Sequence, residues 1–182
     1  MNLTAIILAG GESSRMGEDK GLMLFEGKPM IQHVIDVLKP MVDYIIIISN
    51  NRAYEVFGYV VYDDLIKNKG PLAGIYTGLT HSETDKNLVL SCDVPFVNKE
   101  VLQLVIDNCN TVEVVIPVKE NRTHQLIGVY DKTCTTILKK ELDNNQRKIK
   151  VAIEKLNYKV VDANHIASHI FNNINTKEDA KA

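Results

Sequence analysis

The sequence predicts a single doubly wound α/β domain over residues 1–182, a mostly parallel sheet with helices on both faces. Three observations carry that expectation. Unbroken β-branched runs, such as residues 44–49 with their four consecutive isoleucines, suit strands buried on both faces. Stretches of helical period separate those runs, so the order reads β-α-β, repeated. No Pro/Gly/Ser-rich linker, low-complexity tract or internal repeat divides the 182 residues, a length that fits one domain.

Taken in order, residues 3–9, 44–49, 59–62 and 88–91 read as the first strands. Helices are expected at residues 29–38 and 71–81, each with a proline near its start, and at 99–108 behind Asn98 as N-cap. Strands at 112–118 and 126–130 follow, then helices near 132–142 and 149–156 and a short strand at 158–161. In such a fold ligands sit beyond the carboxyl ends of the strands, which singles out the loops after them.

Composition narrows the class. With 45% apolar and 24% charged residues the chain has the make-up of a soluble globular protein, which excludes a mainly disordered or collagen-like one. A net charge of -2 lacks the broad basic field of nucleic-acid binders, so neither DNA nor RNA is an expected partner. Cys92, Cys109 and Cys134 form no Cys-x-x-Cys pair, which argues against a disulfide framework or zinc knuckle and for a reducing cytoplasm. The first apolar run is far shorter than the roughly 20 residues that span a bilayer, and no basic segment precedes it, so neither signal peptide nor membrane anchor is expected.

The loop after the first strand, LAGGESSRMGEDKG at residues 8–21, carries the chemistry. Gly10 and Gly11 let the backbone turn and bring amide N–H groups towards an anion. Arg15 and Lys20 add a forked cation and a point charge, and a triphosphate is their natural counterpart. A Walker loop is excluded because Glu18 follows Gly17, and the Gly-x-Gly-x-x-Gly fingerprint is absent.

This loop resembles the signature of the sugar-nucleotide and cofactor nucleotidyltransferases. Its form LAGG-x-S-x-RMG-x-DKG is similar to the molybdenum cofactor guanylyltransferases, which transfer GMP from GTP to molybdopterin. Relatives that use CTP more often carry Ala-Ala-Gly where this chain has Ala9-Gly10-Gly11, and the methyl missing at Gly10 suits a purine. The resemblance implies a Rossmann-like nucleotidyltransferase fold, with GTP held along Leu8, Ala9, Gly10, Gly11 and Lys20.

The other strand-end loops extend it. The tip Ser49-Asn50-Asn51-Arg52 can hydrogen-bond a base edge or form an Asx turn, and the resemblance points to Ser49 or Asn51 as helping to seat guanine. At Asp63-Asp64 a carboxylate can accept from guanine N1–H and the 2-amino group. Gly70-Pro71-Leu72-Ala73-Gly74 resembles the family's second motif, with Gly70, Pro71, Leu72 and Gly74 facing the nucleotide. Asp93, in Asp93-Val94-Pro95, stands where the family holds Mg2+, a cation commonly bound by one or two carboxylates plus phosphates. Arg15, Lys20 and Asp93 are the expected catalytic set, and Asp93 is also counted among the GTP contacts.

The acceptor side is carried by Asn173 and Asn175, in a stretch like the family's Asn-x-Asn-Thr ending, with Thr176 and Asp179 as a capping pair. His124 precedes Gln125-Leu126, where the family often has His-Pro-Thr. Arg122, Arg147 and Lys148 can meet an acceptor phosphate, while Lys139-Lys140 and the cluster at Arg147 read more simply as solvated faces. Three alternatives stand beside the guanylyltransferase: the same chemistry on other substrates, as a cytidylyltransferase for molybdopterin or another small phosphate or a sugar-phosphate nucleotidyltransferase; a non-catalytic GTP-binding module; and a nucleotide hydrolase, for which no water-activating residue stands at a motif position. Proteins that hand over the pterin are compatible with this reading. Oligomeric state is not encoded in any motif found.

Overall fold

The fold comes from a computed structural model that describes residues 2–10, 19–174 and 179. Gly11, Arg15, Asn175 and Thr176 lie outside the described residues. The chain runs β1 (Leu3–Leu8), β2 (Leu24–Phe25), β3 (Lys28–Pro29), α1 (Met30–Leu38), β4 (Tyr44–Ile48) and β5 (Val60–Tyr62). It continues through α2 (Pro71–His81), β6 (Lys86–Ser91), α3 (Lys99–Asp107), β7 (Val114–Lys119), β8 (Arg122–Thr123) and β9 (Ile127–Asp131). The last elements are α4 (Thr135–Asp143), α5 (Ile149–Ile153) and β10 (Tyr158–Asp162).

The main sheet has the order β10-β7-β9-β6-β1-β4-β5, with β8 paired to β7. The pairings of β1 with β4 and β6, β4 with β5, and β7 with β10 are parallel, while β9 runs antiparallel between β6 and β7. The predicted mostly parallel sheet is therefore present, with two reversed strands, β9 and the short β8, that periodicity does not reveal.

Alternation along β1 divides the core. Leu3, Ala5 and Ile7 pack on the side of α1 and α3, whereas Ile6 and Leu8 pack on the side of α2, α4 and α5. Helices thus cover both faces, as a two-sided apolar strand requires. The caps follow local chemistry: Asn98 Oδ1 accepts from Val101 N at 3.1 Å to start α3, and Pro71 occupies the first turn of α2.

Two features lie beyond the periodic pattern. The β2–β3 hairpin turns through Glu26 (φ 48°) and Gly27 (φ 78°), and its two-residue strands are too short to show alternation. Arg52–Phe57 forms a 3-10 helix, started by Asn51 Oδ1 accepting from Ala53 N at 3.0 Å. All three cysteines are buried free thiols, and no helix among the described residues is long and apolar enough to cross a membrane.

Candidate active site

Register brings the strand ends to one level. Leu8 pairs with Ile48 and with Ser91, and Ile48 pairs with Tyr62, so the loops after β1, β4, β5 and β6 leave the sheet side by side. At β1 the connections change direction, towards β4 on one side and β6 on the other, which is where open α/β sheets bind ligands. A cleft of about 460 Å³ opens there, and six of the expected residues line it: Leu8, Gly10, Asp64, Gly70, Pro71 and Gly74. Ile48, Asn50, Asn68, Ser91, Leu126 and Arg147 complete the wall.

At one end of the cleft, Asn50 Nδ2 donates to Asp64 Oδ2 at 3.3 Å, and Asp64 N donates back to Asn50 Oδ1 at 3.2 Å. Asp64 Oδ1 is left buried and without a hydrogen-bond partner. Burial pushes the Asp64 carboxyl up, the bond from Asn50 opposes this, and the Asp63 charge adds to it. The other three candidates for the base have different surroundings. Asp63 pairs with Arg52 at 3.3 Å, Ser49 is buried with Oγ accepting from Asn51 N at 3.1 Å, and Asn51 combines its cap with a bond to Asp19.

The glycines shape the floor. Among the described residues, a methyl built on Gly10 meets Ile48 O at 4.0 Å and nothing closer, and Gly10 lines the cleft. A methyl on Gly74 would stand 3.1 Å from Leu8 Cδ2 and 3.8 Å from Asp64 Oδ1. Gly70 holds φ 68° and ψ -161°, open to glycine alone, and starts α2 facing the cleft. Ala9 and Leu72 are buried in the core and do not line the cleft.

Towards the glycine-rich segment, Asp19 Oδ1 accepts from Gly21 N at 3.2 Å and from the Tyr54 hydroxyl, while Oδ2 accepts from Asn51 Nδ2 at 3.0 Å. Cys92 reports what surrounds it. Burial raises its thiol pKa most, the charges of Asp93 and Asp19 raise it further, and Lys20 lowers it.

Asp93 receives the C-terminal segment. Its carbonyl accepts from Ile174 N at 2.9 Å and its Oδ2 accepts from Asn173 Nδ2 at 3.3 Å. Its Oδ1 is buried without a partner, a free hard oxygen that fits one ligand position on a divalent cation. Among the described residues no group of three or more His, Cys, Asp or Glu could hold a metal, so such a cation would draw its remaining ligands from substrate and water. Nearby, the His124 ring lies 4.5 Å from that of Phe171, and burial, then Arg122, holds its pKa below the ordinary value.

Residues 5–159 match the MobA-like NTP transferase domain. The chain belongs to that family. A probable molybdenum cofactor guanylyltransferase of Flavobacterium johnsoniae is 37% identical over 178 residues, covering 97% of this chain and 94% of its own length. The molybdenum cofactor guanylyltransferase of Vibrio campbellii is 36% identical over 181 residues, covering 96% of this chain and 91% of its own. Among solved structures, molybdopterin-guanine dinucleotide biosynthesis protein A of Archaeoglobus fulgidus superposes with a TM-score of 0.81 at 25% identity, covering 98% of this chain and 95% of that one.

Within this MobA-like transferase, some of the cleft wall escapes sequence reading. Asn50 stands in the amide-rich tip, one position from the residues that the motif singles out. Arg147 reads as solvated, yet it lines the cleft from beyond α4 in a turn that Lys69 Nζ ties to the opposite wall by donating to Asn145 Oδ1 at 2.5 Å. Asn68 and Leu126 carry no local signal at all.

Proposed function

We propose that this chain transfers GMP from GTP to the terminal phosphate of molybdopterin, releasing pyrophosphate and forming molybdopterin guanine dinucleotide. The observation that carries the guanine reading is Asp64 Oδ1, a buried, unpartnered acceptor on the cleft wall. An ionised carboxylate there accepts from N1–H and the 2-amino group of guanine, a donor pair that cytosine and adenine lack. Membership of a transferase family disfavours the hydrolase and the non-catalytic module.

The acceptor phosphate attacks the α-phosphorus of GTP. One P–O bond forms there as the bond to the β-phosphate oxygen breaks, and pyrophosphate departs with the bonding pair. The nucleophile is already anionic, so no general base is needed, and catalysis consists of positioning and charge stabilisation. The amides at Gly10 and Gly11, with Arg15 and Lys20, neutralise the β- and γ-phosphates and the leaving charge. Asp93 would hold Mg2+, which when bound offsets the charge between phosphate oxygens. Asn173, bonded to Asp93, and Asn175 orient the acceptor.

The test is incubation of the protein with each of the four NTPs, molybdopterin and Mg2+, reading pyrophosphate and product mass. GTP alone should give rapid pyrophosphate release and a GMP–pterin product. Equal turnover of CTP would overturn the guanine assignment, and GDP with inorganic phosphate as products would replace transfer by hydrolysis.

A further inference from the structure

Asp19 directly precedes Lys20, and no step above uses its carboxylate. Its two oxygens nonetheless gather three donors from three places: Gly21 N, the Tyr54 hydroxyl and Asn51 Nδ2. Tyr54 is 0% exposed, and a methyl on Gly21 would overlap its hydroxyl and come within 3.0 Å of Cys92 Sγ. Asn51 divides its amide, Oδ1 capping the 3-10 helix and Nδ2 reaching Asp19. The next residue back, Asn50, is bonded reciprocally to Asp64. One short segment after β4 is therefore bonded both to the turn that carries Lys20 and to the carboxylate on the cleft wall.

We infer that Tyr54 and Asn51 are positioning residues: they grip Asp19 so that Lys20 meets the triphosphate in register with the base held beside Asn50 and Asp64. The inference rests on Lys20 being a phosphate ligand. A lysine has a long, rotamer-rich stem, and fixing the backbone beneath it removes part of the ordering cost from the binding step. Three donors on one carboxylate make charge-assisted bonds, stronger than neutral ones, so the grip is stiff.

Tyr54→Phe keeps the buried ring and deletes only the hydroxyl. Asn51→Asp keeps an oxygen for Ala53 N and sets a second carboxylate against Asp19, where the present bond measures 3.0 Å. In either variant, affinity for GTP should fall about 10-fold, the scale of one hydrogen bond to a charged group, and in Tyr54→Phe guanosine affinity should be unchanged. In a Lys20→Ala background, Tyr54→Phe should add less than about twofold, because both changes remove the same contact. The exchange Asn51→Asp with Asp19→Asn should restore GTP binding, since the pair then donates in the opposite sense. The amide introduced by Asp19→Asn gives its N–H to the carboxylate introduced by Asn51→Asp, while its oxygen still accepts from Tyr54 and Gly21.

Wild-type GTP affinity in Tyr54→Phe, equal losses for guanosine and GTP, additivity with Lys20→Ala, or failure of the exchange to rescue would each overturn the inference. If Lys20→Ala alone binds GTP normally, the phosphate reading falls and takes the inference with it. If Lys20→Ala is impaired and Tyr54→Phe is not, the inference falls alone.

Discussion

Asp64 and Asp93 each keep one carboxylate oxygen buried and unpartnered, which costs the unliganded fold stability that donors or a cation on a ligand offset. For Asp64 the sign can be worked out. Its folded pKa lies above the ordinary 3.8, so the native state binds the proton more readily than the unfolded chain, and this group lowers stability as pH rises from 3.8 through the folded value. Asp64→Asn should therefore raise Tm at neutral pH, with the gain shrinking as pH falls towards 3.8. The same variant should bind GTP roughly 10- to 100-fold more weakly, the range for losing charged hydrogen bonds. It should also improve XTP relative to GTP, because an amide can donate to the xanthine 2-oxo group. Melts across pH and competition binding of the two nucleotides check both halves. That the pair Asp63-Asp64 ends its strand at the cleft was legible; that Asp64 and not Asp63 lines it was not, because Asp63 is paired with Arg52.

At the scale of elements, α2 shows how a glycine sets the depth of the cleft. A methyl on Gly78 would overlap Ile6 Cγ2 and stand 2.9 Å from Ile6 Cδ1, so the helix can lie against β1 only without it. Gly78→Ala should destabilise the fold by about 1–3 kcal/mol in urea unfolding, the usual cost of overpacking, even though alanine gains about 1 kcal/mol over glycine in a helix interior. Residues 71–81 were legible as this helix from period and Pro71, and the element runs Pro71–His81. Its Gly70, Pro71 and Gly74 face the cleft while Leu72 turns into the core, a consequence of the helical period. The Asx turn at Asn51 was legible, but the 3-10 helix it starts at Arg52–Phe57 was not, because its buried Tyr54 bonds to Asp19, more than thirty residues away.

At the scale of the whole molecule, the C-terminal segment packs against Asp93. Ile174 is 2% exposed beside Phe25 and Met30, and its amide donates to the Asp93 carbonyl. Ile174→Ala should cost about 2–4 kcal/mol by the usual measure of core truncation. It should also raise KM for the acceptor more than for GTP, because Asn173 loses its seat on Asp93; thermal melts with two-substrate kinetics separate the two effects. Taken alone, the sequence determined the α/β class, the family and the loops that matter, since strand and helix periods and a glycine-rich, doubly cationic loop are local patterns. Only the tertiary structure decided which side chain in each loop turns inward, that Arg147 reaches the cleft, and that Asp19 is gripped by Tyr54 and Asn51. Those outcomes depend on strand register and on burial, which bring residues from distant parts of the chain to one sheet edge and leave two carboxylate oxygens without partners. The glycine-rich motif was written in the order of residues, and the meeting of Gly10 with Asp64 in one cleft is a property of the fold.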